Sequence, residues 1–400
     1  MDDKEYFEKW ATLNHAFTPS APISSKDQFK GRGKQVRDVI ESLFEPGQHA
    51  VIFGERGVGK TSLANIIPTV LSKSQMAVVK VNCNRSDDFK SIWTKALEKL
   101  PYIFTENSVG FKPDNKEEII NLSKLIPQKD KITTTDIGIL FAKFDLTTLF
   151  IFDEFDTISS DRIYSKFADL VKELSDEKSN VKIIFVGIAN NVTDLIGEHP
   201  SIERCLKQVK LLRMLNDDLI EIVQNGYNSI GITCSEIFQD RIVKLSSGFP
   251  HYTHLLSKYI GHASLDKRTL DITEEIFYDG LGRAIENANE SIKELYRKAT
   301  TTSTGKQNKF ANILHACALA KTDQFNTFGT VDILNSYNML TGKAEIQPGI
   351  AYNIGKLCQQ ERGTILEKID AASYNRYRFQ NPLLRAYILM RLYKNGEFNF

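Results

Sequence analysis

Cysteine is scarce in this chain, and no two cysteines stand close together. The five are Cys83, Cys205, Cys234, Cys317 and Cys358, and no pair has the Cys-x-x-Cys spacing. Structural zinc sites and disulfide frameworks need cysteines in recurring local spacings. The sequence therefore argues against both kinds of scaffold and favours a reducing compartment, so we expect a cytoplasmic protein.

Long apolar runs are also missing. No stretch approaches the roughly 20 apolar residues that a membrane-spanning helix needs, and Met1–Glu5 is acidic, without the apolar core of a secretory signal. Hydrophobic residues make up 42% and charged residues 25% of the 400 residues. We expect a globular protein of two or three domains without a membrane partner.

Charge is balanced overall but unevenly distributed along the chain. The formal net charge is +1, yet Ser291–Phe400 carries 15 Lys and Arg against 8 Asp and Glu. The remainder is therefore mildly acidic, which indicates different tasks for the two parts. A basic C-terminal region suits nucleic-acid contact, and it equally suits a moderately basic helical surface.

The pattern of apolar segments predicts three regions behind a polar N-terminal arm at 1–30. In 31–214 short apolar strands alternate with helices, which is typical of a parallel sheet covered on both faces. Within it, 101–135 is expected to be irregular apart from one short helix. Residues 215–300 have only helical periodicity and predict a small helical domain. Residues 301–400 predict three helices, a hairpin and a closing helix, which is the plan of a winged helix. The predicted strands of the sheet are 49–53, 77–81, 149–152, 181–186 and 208–212.

A glycine-rich motif of the form G-x-x-x-x-G-K-[ST], the Walker A pattern, follows the first predicted strand and precedes a predicted helix. Its glycines let successive backbone N–H groups turn inward and cradle phosphate oxygens, and the helix adds its positive N-terminal end. Lys60 is expected to reach the β- and γ-phosphates, and the Thr61 hydroxyl to bind Mg²⁺. The predicted nucleotide-binding residues here are Gly54, Glu55, Arg56, Gly57, Val58, Gly59, Lys60, Thr61 and Ser62.

Two acids end the third predicted strand of the sheet. The sequence 149–154 reads Leu-Phe-Ile-Phe-Asp-Glu, so Asp153 and Glu154 are expected at the carboxyl edge of the sheet, beside the glycine-rich loop. We expect Asp153 to hold Mg²⁺ through water and Glu154 to polarise the attacking water. A solvated strand end is the structural alternative, but a hydrolytic ATPase needs the second acid to orient its nucleophile.

ATP is favoured over GTP as the nucleotide. The guanine-reading motif Asn-Lys-x-Asp is absent, and its nearest approach, 115–118, lacks the final acid. No series of helicase motifs is present either.

With these motifs, the chain resembles AAA+ P-loop ATPases. It is most similar to the initiator-like and STAND-like branches, which include bacterial transposition-regulator and defence ATPases. The resemblance covers the chain from about Phe29 onward. It implies an α/β fold with a parallel-sheet P-loop core, a small α-helical lid over 215–300 and a C-terminal winged helix.

The resemblance also implies roles for four residues outside the glycine-rich loop. Arg32, in Phe29-Lys-Gly-Arg, matches the segment that lines the adenine pocket, and Pro250 matches a proline that packs near adenine. Asn190 matches the sensor-1 position that reads the γ-phosphate, although a turn asparagine would look the same. Arg204 matches an arginine finger reaching a neighbouring subunit's ATP, which implies a homo-oligomer; a surface arginine is the alternative. His251 stands where initiators usually carry a sensor-2 arginine, which favours the STAND-like side.

The predicted winged helix offers three basic residues for duplex DNA. Lys356 lies on its third helix, the helix that enters the major groove in DNA-binding examples. Arg376 and Arg378 lie on the wing, interleaved with tyrosines in a pattern that suits phosphate contact or stacking. The same hairpin suits packing on the ATPase body, and such modules also serve protein contact.

Three hypotheses follow for what the ATPase does. The first is an AAA+ switch that hydrolyses ATP, oligomerises on it and acts on nucleic acid. The second is a STAND-like signalling or anti-phage defence ATPase that recruits a partner effector protein. The third, a scaffold that binds ATP without hydrolysis, is disfavoured by the intact Asp153-Glu154 pair.

Overall fold

The computed structural model describes the chain except for residues 24–28, 107–115, 143, 190–191, 193–199, 302–308, 324 and 371–374. The described residues form two compact units. Pro22–Leu212 make one, which we call the sheet unit, and Met1–Ala21 with Arg213–Phe400 make the other, the helical unit. Among the described residues, no helix combines the length and apolarity that crossing a bilayer requires.

The first half of the chain alternates between strands and helices once the N-terminal helix has passed. In chain order the elements are α1 (Asp3–Ala16) of the helical unit, and then, in the sheet unit, α2 (Gly33–Phe44), β1 (His49–Gly54), α3 (Lys60–Val70), β2 (Ala77–Asn82), α4 (Phe89–Glu98), β3 (Pro101–Glu106), β4 (Lys116–Asn121), α5 (Thr134–Phe141), β5 (Thr148–Asp153), α6 (Asp161–Asp176), β6 (Val181–Ile188) and β7 (Leu206–Leu211).

Five parallel strands form the central sheet in the order β2-β5-β6-β1-β7. All six residues of β1 and all six of β5 are buried, as expected for strands covered by helices on both faces. The predicted parallel sheet is thereby confirmed, and each of the five strands lies within two residues of its predicted bounds. Because all strands run the same way, the carboxyl ends of β1, β5 and β6 meet at one edge.

An aromatic cluster fills the space between one face of the sheet and its helices. Trp93 of α4 is fully buried, and its ring centroid lies 5.0–5.7 Å from those of four phenylalanines. These are Phe141, Phe150, Phe152 and Phe167. Three of these contacts are edge-to-face and the one with Phe167 is stacked, and both geometries add to the burial of large apolar surface. The cluster therefore anchors β5, the strand that ends at Asp153.

The stretch after α4 differs from the prediction. Instead of an irregular segment with a short helix, β3 and β4 pair antiparallel from Pro101↔Asn121 to Glu106↔Lys116. A single 3₁₀ turn follows at Leu122–Leu125. The two segments are rich in aromatic and β-branched residues, which favour strands, and their polar neighbours masked this signal.

The helical unit contains the rest of the chain and α1. Its further elements are α7 (Asn216–Asn228), α8 (Glu236–Ser246), α9 (Pro250–Asp266), α10 (Glu274–Glu286), α11 (Glu290–Thr300), α12 (Lys309–Leu319), β8 (Phe328–Gly329), α13 (Thr330–Thr341), α14 (Gln347–Leu357), β9 (Leu366–Asp370), β10 (Asn375–Phe379) and α15 (Pro382–Lys394). Strands β8, β10 and β9 form a small antiparallel sheet in that order.

The N-terminal segment contains a helix that its polar sequence did not suggest. Leu13 of α1 and Phe17 just after it are fully buried. Each fits against a helical glycine: a Cβ on Gly261 would lie 2.6 Å from Leu13 Cδ1, and one on Gly226 would lie 2.2 Å from Phe17 Cζ. Two apolar anchors therefore dock this segment on α7 and α9.

The closing helix α15 joins the C-terminal elements to the helices that precede them. Tyr252 of α9 donates a hydrogen bond to the carbonyl of Leu383 at 3.0 Å. Tyr278 of α10 stacks on Tyr393, with 6.0 Å between ring centroids. The predicted regions 215–300 and 301–400 thus pack within one unit, and their division into a lid and a winged helix remains a proposal.

Helices α9 and α10 approach closely at Gly280. A Cβ there would lie 2.3 Å from Ile260 Cα, which is backbone and cannot move aside. We therefore expect Gly280→Ala to destabilise the helical unit by about 1–3 kcal/mol through overpacking. Gly355→Ala is the matched control, because it also lies within a helix but nothing would lie within 4 Å of its Cβ. Thermal unfolding should show a lower midpoint for Gly280→Ala alone; equal midpoints would contradict the close approach.

Candidate functional site

The glycine-rich loop joins β1 to α3 at the carboxyl edge of the sheet. Gly57 and Gly59 have φ of +87° and +96°, in the left-handed region that favours glycine. Gly59 is also the N-cap of α3, so the first N–H groups of the helix face the loop. A helix N-terminus beneath a curled backbone is a site for a phosphate-sized anion.

Lys60 is buried within this loop. Its ammonium donates hydrogen bonds to the carbonyls of Gly54, at 3.1 Å, and Glu55, at 2.8 Å. Burial lowers the pKa of Lys60 to about 8, and the carboxylates of Asp156 and Asp153 oppose that shift. The loop thus holds a cation that an incoming phosphate would stabilise.

Asp153 lies at the end of β5, opposite the loop. The hydroxyl of Thr61 donates to its Oδ1 at 3.4 Å, and the backbone N–H of Glu154 donates to the same oxygen at 2.9 Å. The second oxygen, Oδ2, is buried and accepts no hydrogen bond within the described residues. Carboxylate and hydroxyl oxygens are the donors that Mg²⁺ prefers, so Thr61 and Asp153 fit the predicted metal role.

A lysine that sequence reasoning missed lies at the same carboxylate. Lys80 Nζ of β2 is 2.8 Å from Asp153 Oδ2, as an ion pair without hydrogen-bond geometry. The same ammonium donates to Asn65 Oδ1 of α3 at 2.5 Å. The available signal was one lysine between two buried valines in an apolar strand.

Glu154 adopts a backbone conformation that is rare for a residue with a side chain. Its φ is +56°, and a 3₁₀ turn at Phe155–Thr157 follows directly. Its side chain is exposed, and within the described residues no hydrogen bond or ion pair holds its carboxylate. Such backbone conformations cost of order 1–3 kcal/mol and cluster at functional sites, so this turn sets the direction of the second acid.

Asp156 connects this turn to the neighbouring strand. Its Oδ1 accepts a hydrogen bond from the backbone N–H of Ile188, the last residue of β6, at 2.8 Å. The predicted sensor residue Asn190 follows two positions later and lies outside the described residues. Its sensor role remains a prediction.

Arg32 is committed to backbone carbonyls. It is 6% exposed, and its Nη2 donates to the carbonyl of Val58 at 3.2 Å and to that of Leu212 at 2.5 Å. The guanidinium therefore braces the glycine-rich loop against the end of the sheet unit. That Arg32 also lines the adenine remains a prediction.

The other predicted site residues occupy varied positions. Arg56 is exposed on the loop, and the Ser62 hydroxyl accepts from the backbone N–H of Ile23 at 3.1 Å. Arg204 lies in a 3₁₀ helix at Pro200–Cys205 and pairs with Asp176 of the same chain at 3.2 Å, with both side chains more than half exposed. Pro250 occupies the first turn of α9 in the helical unit.

The three basic residues predicted to touch DNA have acidic partners within the chain. Arg376 lies 3.0 Å from Asp323 Oδ2, and its Nη2 donates to the carbonyl of Thr327 at 2.8 Å. Arg378 pairs with Glu367 across β9 and β10 at 2.8 Å, and Lys356 pairs with Glu361 at 3.5 Å. Such pairing reduces the positive charge that phosphates would meet.

Comparison with known proteins assigns the chain to a family. The family model described as Novel STAND NTPase 1 matches residues 17–318, more than half of the chain. No curated protein matches.

Solved structures align with this chain at low sequence identity. A Walker-type ATPase of Pyrococcus abyssi aligns with a TM-score of 0.51 and 16% identity, covering 92% of this chain and 99% of that one. The Orc1 protein of Aeropyrum pernix, solved in complex with DNA, aligns with a TM-score of 0.48 and 13% identity over 96% of this chain and 95% of its own. Cdc6p of Pyrobaculum aerophilum aligns with a TM-score of 0.47 and 14% identity, over 96% and 99%.

Proposed function

Because this chain belongs to the Novel STAND NTPase 1 family of P-loop NTPases, we propose that it is an ATP-hydrolysing molecular switch. One observation carries the proposal. The Thr61 hydroxyl of the glycine-rich loop donates to the Asp153 carboxylate of β5 at 3.4 Å. A glycine-rich loop suited to phosphates and an acid suited to a divalent metal thus meet at one edge of the sheet, with a second acid following directly.

Binding of the nucleotide rests on groups of the sheet unit. The backbone N–H groups around Gly57 and Gly59 and the N-terminus of α3 face the phosphates, and Lys60 exchanges its two carbonyl partners for phosphate oxygens. Thr61 and Asp153 would hold Mg²⁺, which supplies charge neutralisation at the β- and γ-phosphates. Arg32 is proposed to line the adenine.

Hydrolysis is assigned to Glu154. Its carboxylate orients a water for attack on the γ-phosphorus and accepts a proton from that water. At the same time the bond between the γ-phosphorus and the β–γ bridging oxygen breaks. The turn that begins at Glu154 and is hydrogen-bonded through Asp156 to the end of β6 supports this role, because it sets the direction of the carboxylate. Asn190 is proposed to read the γ-phosphate, and Arg204 to reach it from a neighbouring subunit.

A nucleotide acts as a switch only if it binds two conformations with different affinity. We infer that ATP favours an assembled state and that hydrolysis through Glu154 releases it. Arg204 fits this role because its pair with Asp176 is exposed on both sides, and such pairs contribute only about 0–1 kcal/mol. A neighbouring subunit's phosphates would compete effectively for that guanidinium.

Two targets are candidates for the switch, duplex DNA and a partner protein, and the described surface favours the partner protein. We propose that 301–400 is a winged helix, since three helices there precede the antiparallel pair β9 and β10, and the short strand β8 between the first two helices completes their sheet. Lys356, Arg376 and Arg378 are all ion-paired, whereas Met339, Ile346 and Tyr352 on or beside its second and third helices are each at least 66% exposed. Exposed apolar side chains suit protein contact better than phosphate contact.

Light scattering on the Glu154→Gln protein tests both the switch and its target. We expect its mass to increase on adding ATP and Mg²⁺, because nucleotide binds without being consumed, and we expect duplex DNA to be unnecessary. The wild type should assemble only transiently, and Glu154→Gln with Arg204→Ala should remain at the smaller mass. Asp176→Ala, which frees Arg204, is the matched control and should still assemble.

Two other outcomes would change the account. Assembly that requires duplex DNA of arbitrary sequence would favour the nucleic-acid hypothesis, and its loss on replacing Arg376 and Arg378 by Glu would locate the contact. A constant mass under every condition would contradict an ATP-driven switch.

A further inference from the structure

We propose that Lys80 is a built-in counter-cation of the metal-binding carboxylate, and that it competes with the divalent cation for Asp153. This inference rests on the proposed function, since it concerns how the same nucleotide site uses its metal. It begins with an ion pair that the phosphate-binding motifs do not contain: Lys80 Nζ lies 2.8 Å from Asp153 Oδ2.

The sheet places Lys80 at this position. Strands β2 and β5 pair in parallel, with Lys80 beside Ile151 and Asn82 beside Asp153. Side chains alternate along a strand, and Val79 and Val81 are buried on the opposite face from Lys80. The lysine therefore extends from the middle of β2 toward the end of β5.

Asn65 holds the other side of the ammonium. It lies one helical turn after Thr61 on α3, and its Oδ1 accepts from Lys80 Nζ at 2.5 Å. Three elements of the site therefore meet at one cation: the helix after the glycine-rich loop, the edge strand β2, and the strand carrying Asp153.

Competition follows from which oxygen the lysine occupies. Thr61 and the Glu154 N–H both use Oδ1, so Oδ2 is the oxygen left for a hydrated metal ion. The Asp153 side chain is 3% exposed, whereas that of Lys80 is 21% exposed. The carboxylate is thus fixed, while the lysine has a flexible stem and partial access to water, so the ammonium is the group that can move away.

The expected consequence is a weaker dependence of nucleotide binding on metal. Lys80 neutralises Asp153 when no metal is bound, which lowers the repulsion that nucleotide phosphates meet there. When a divalent cation binds, the Lys80 ammonium must either move away from Asp153 or repel the cation. A unit charge at this distance corresponds to at least about a tenfold effect, even with strong screening.

The test uses calorimetry to measure the dissociation constant of a hydrolysis-resistant ATP analogue twice, in EDTA and in saturating Mg²⁺. The ratio compared between variants is the constant in EDTA divided by the constant in Mg²⁺. We expect this ratio to be at least about tenfold larger for Lys80→Met than for the wild type. Lys80→Arg keeps the charge and should stay near the wild-type ratio. Lys73→Met, which removes an exposed lysine after α3, should leave the ratio unchanged.

A positioning role alone predicts a different result. If Lys80 only orients Asp153, then Lys80→Met would lose metal binding and the ratio would fall; an unchanged or smaller ratio therefore overturns the proposal. Lys80→Gln serves if the Met variant does not fold, because its amide can still donate to Asp153 without carrying charge. Failure of the wild type to bind the analogue at all would instead contradict the proposed function, so the two failures are distinguishable.

Discussion

Replacing Glu154 by Gln is expected to lower ATP turnover by about 10²–10³-fold while leaving nucleotide affinity within a few-fold of wild type. The amide keeps the size of the side chain but cannot accept a proton from the attacking water, and a general base contributes roughly 10²–10⁴ in rate. The exposed carboxylate takes no part in the hydrogen bonds that hold the loop. Phosphate release and analogue binding measure the two quantities separately.

Glu98→Gln is the matched control for this variant. Glu98 is the last residue of α4, exposed and in the same unit, so its turnover should equal that of the wild type. If Glu154→Gln turned over ATP at the wild-type rate, a different group would be the base. If it lost binding as strongly as turnover, Glu154 would act in holding the nucleotide.

Replacing Lys60 by Ala should have the largest effect on binding. Lys60 is 8% exposed, and its ammonium faces the space enclosed by the glycine-rich loop, where it bonds two loop carbonyls. Charge-assisted hydrogen bonds to phosphate contribute about 1.5–3 kcal/mol each. We therefore expect affinity for ATP with Mg²⁺ to fall by at least about 100-fold, measured by displacement of a fluorescent analogue.

Lys60→Ala also removes the hydrogen bonds that the lysine donates to the carbonyls of Gly54 and Glu55. The loss of folding stability must therefore be measured separately from the loss of affinity. Lys73→Ala removes an exposed lysine and should change neither quantity. The thermal midpoint of Lys60→Ala without nucleotide gives the structural cost, and only the wild type should gain stability when ATP is added. Equal stabilisation of both proteins by ATP would contradict the assignment of Lys60.

The central sheet could be predicted because its signals are local. A fully buried parallel strand is a short apolar run, and β1 and β5 both read in that way. The glycine-rich loop is equally local, since its spacing fixes where the backbone turns and where Lys60 and Thr61 follow. The β3–β4 hairpin escaped prediction because polar residues surround its aromatic and β-branched ones, and α1 because its few buried apolar residues pack on helices far along the chain. The Phe17 ring packs against Gly226, which is far along the chain, so the local sequence does not show that Phe17 is buried.

The candidate site was predictable only where its chemistry belongs to contiguous motifs. Asp153 and Glu154 end a strand, but the lysine beside Asp153 lies 73 positions earlier, and their contact follows from β2 lying next to β5. Arg376 likewise looked available for DNA, whereas its contacts are with Asp323 and Thr327, about 50 residues away. Sequence shows which charges exist, and the order of strands decides which of them pair.

Phosphate release from ATP by the purified wild-type protein tests the central claim most directly. The site described here predicts sustained release of inorganic phosphate in the presence of Mg²⁺, suppressed by EDTA and by Glu154→Gln. Stoichiometric binding of ATP that persists for hours without any phosphate release, with or without a candidate partner, would contradict it. The chain would then be a nucleotide-binding scaffold rather than a switch driven by hydrolysis.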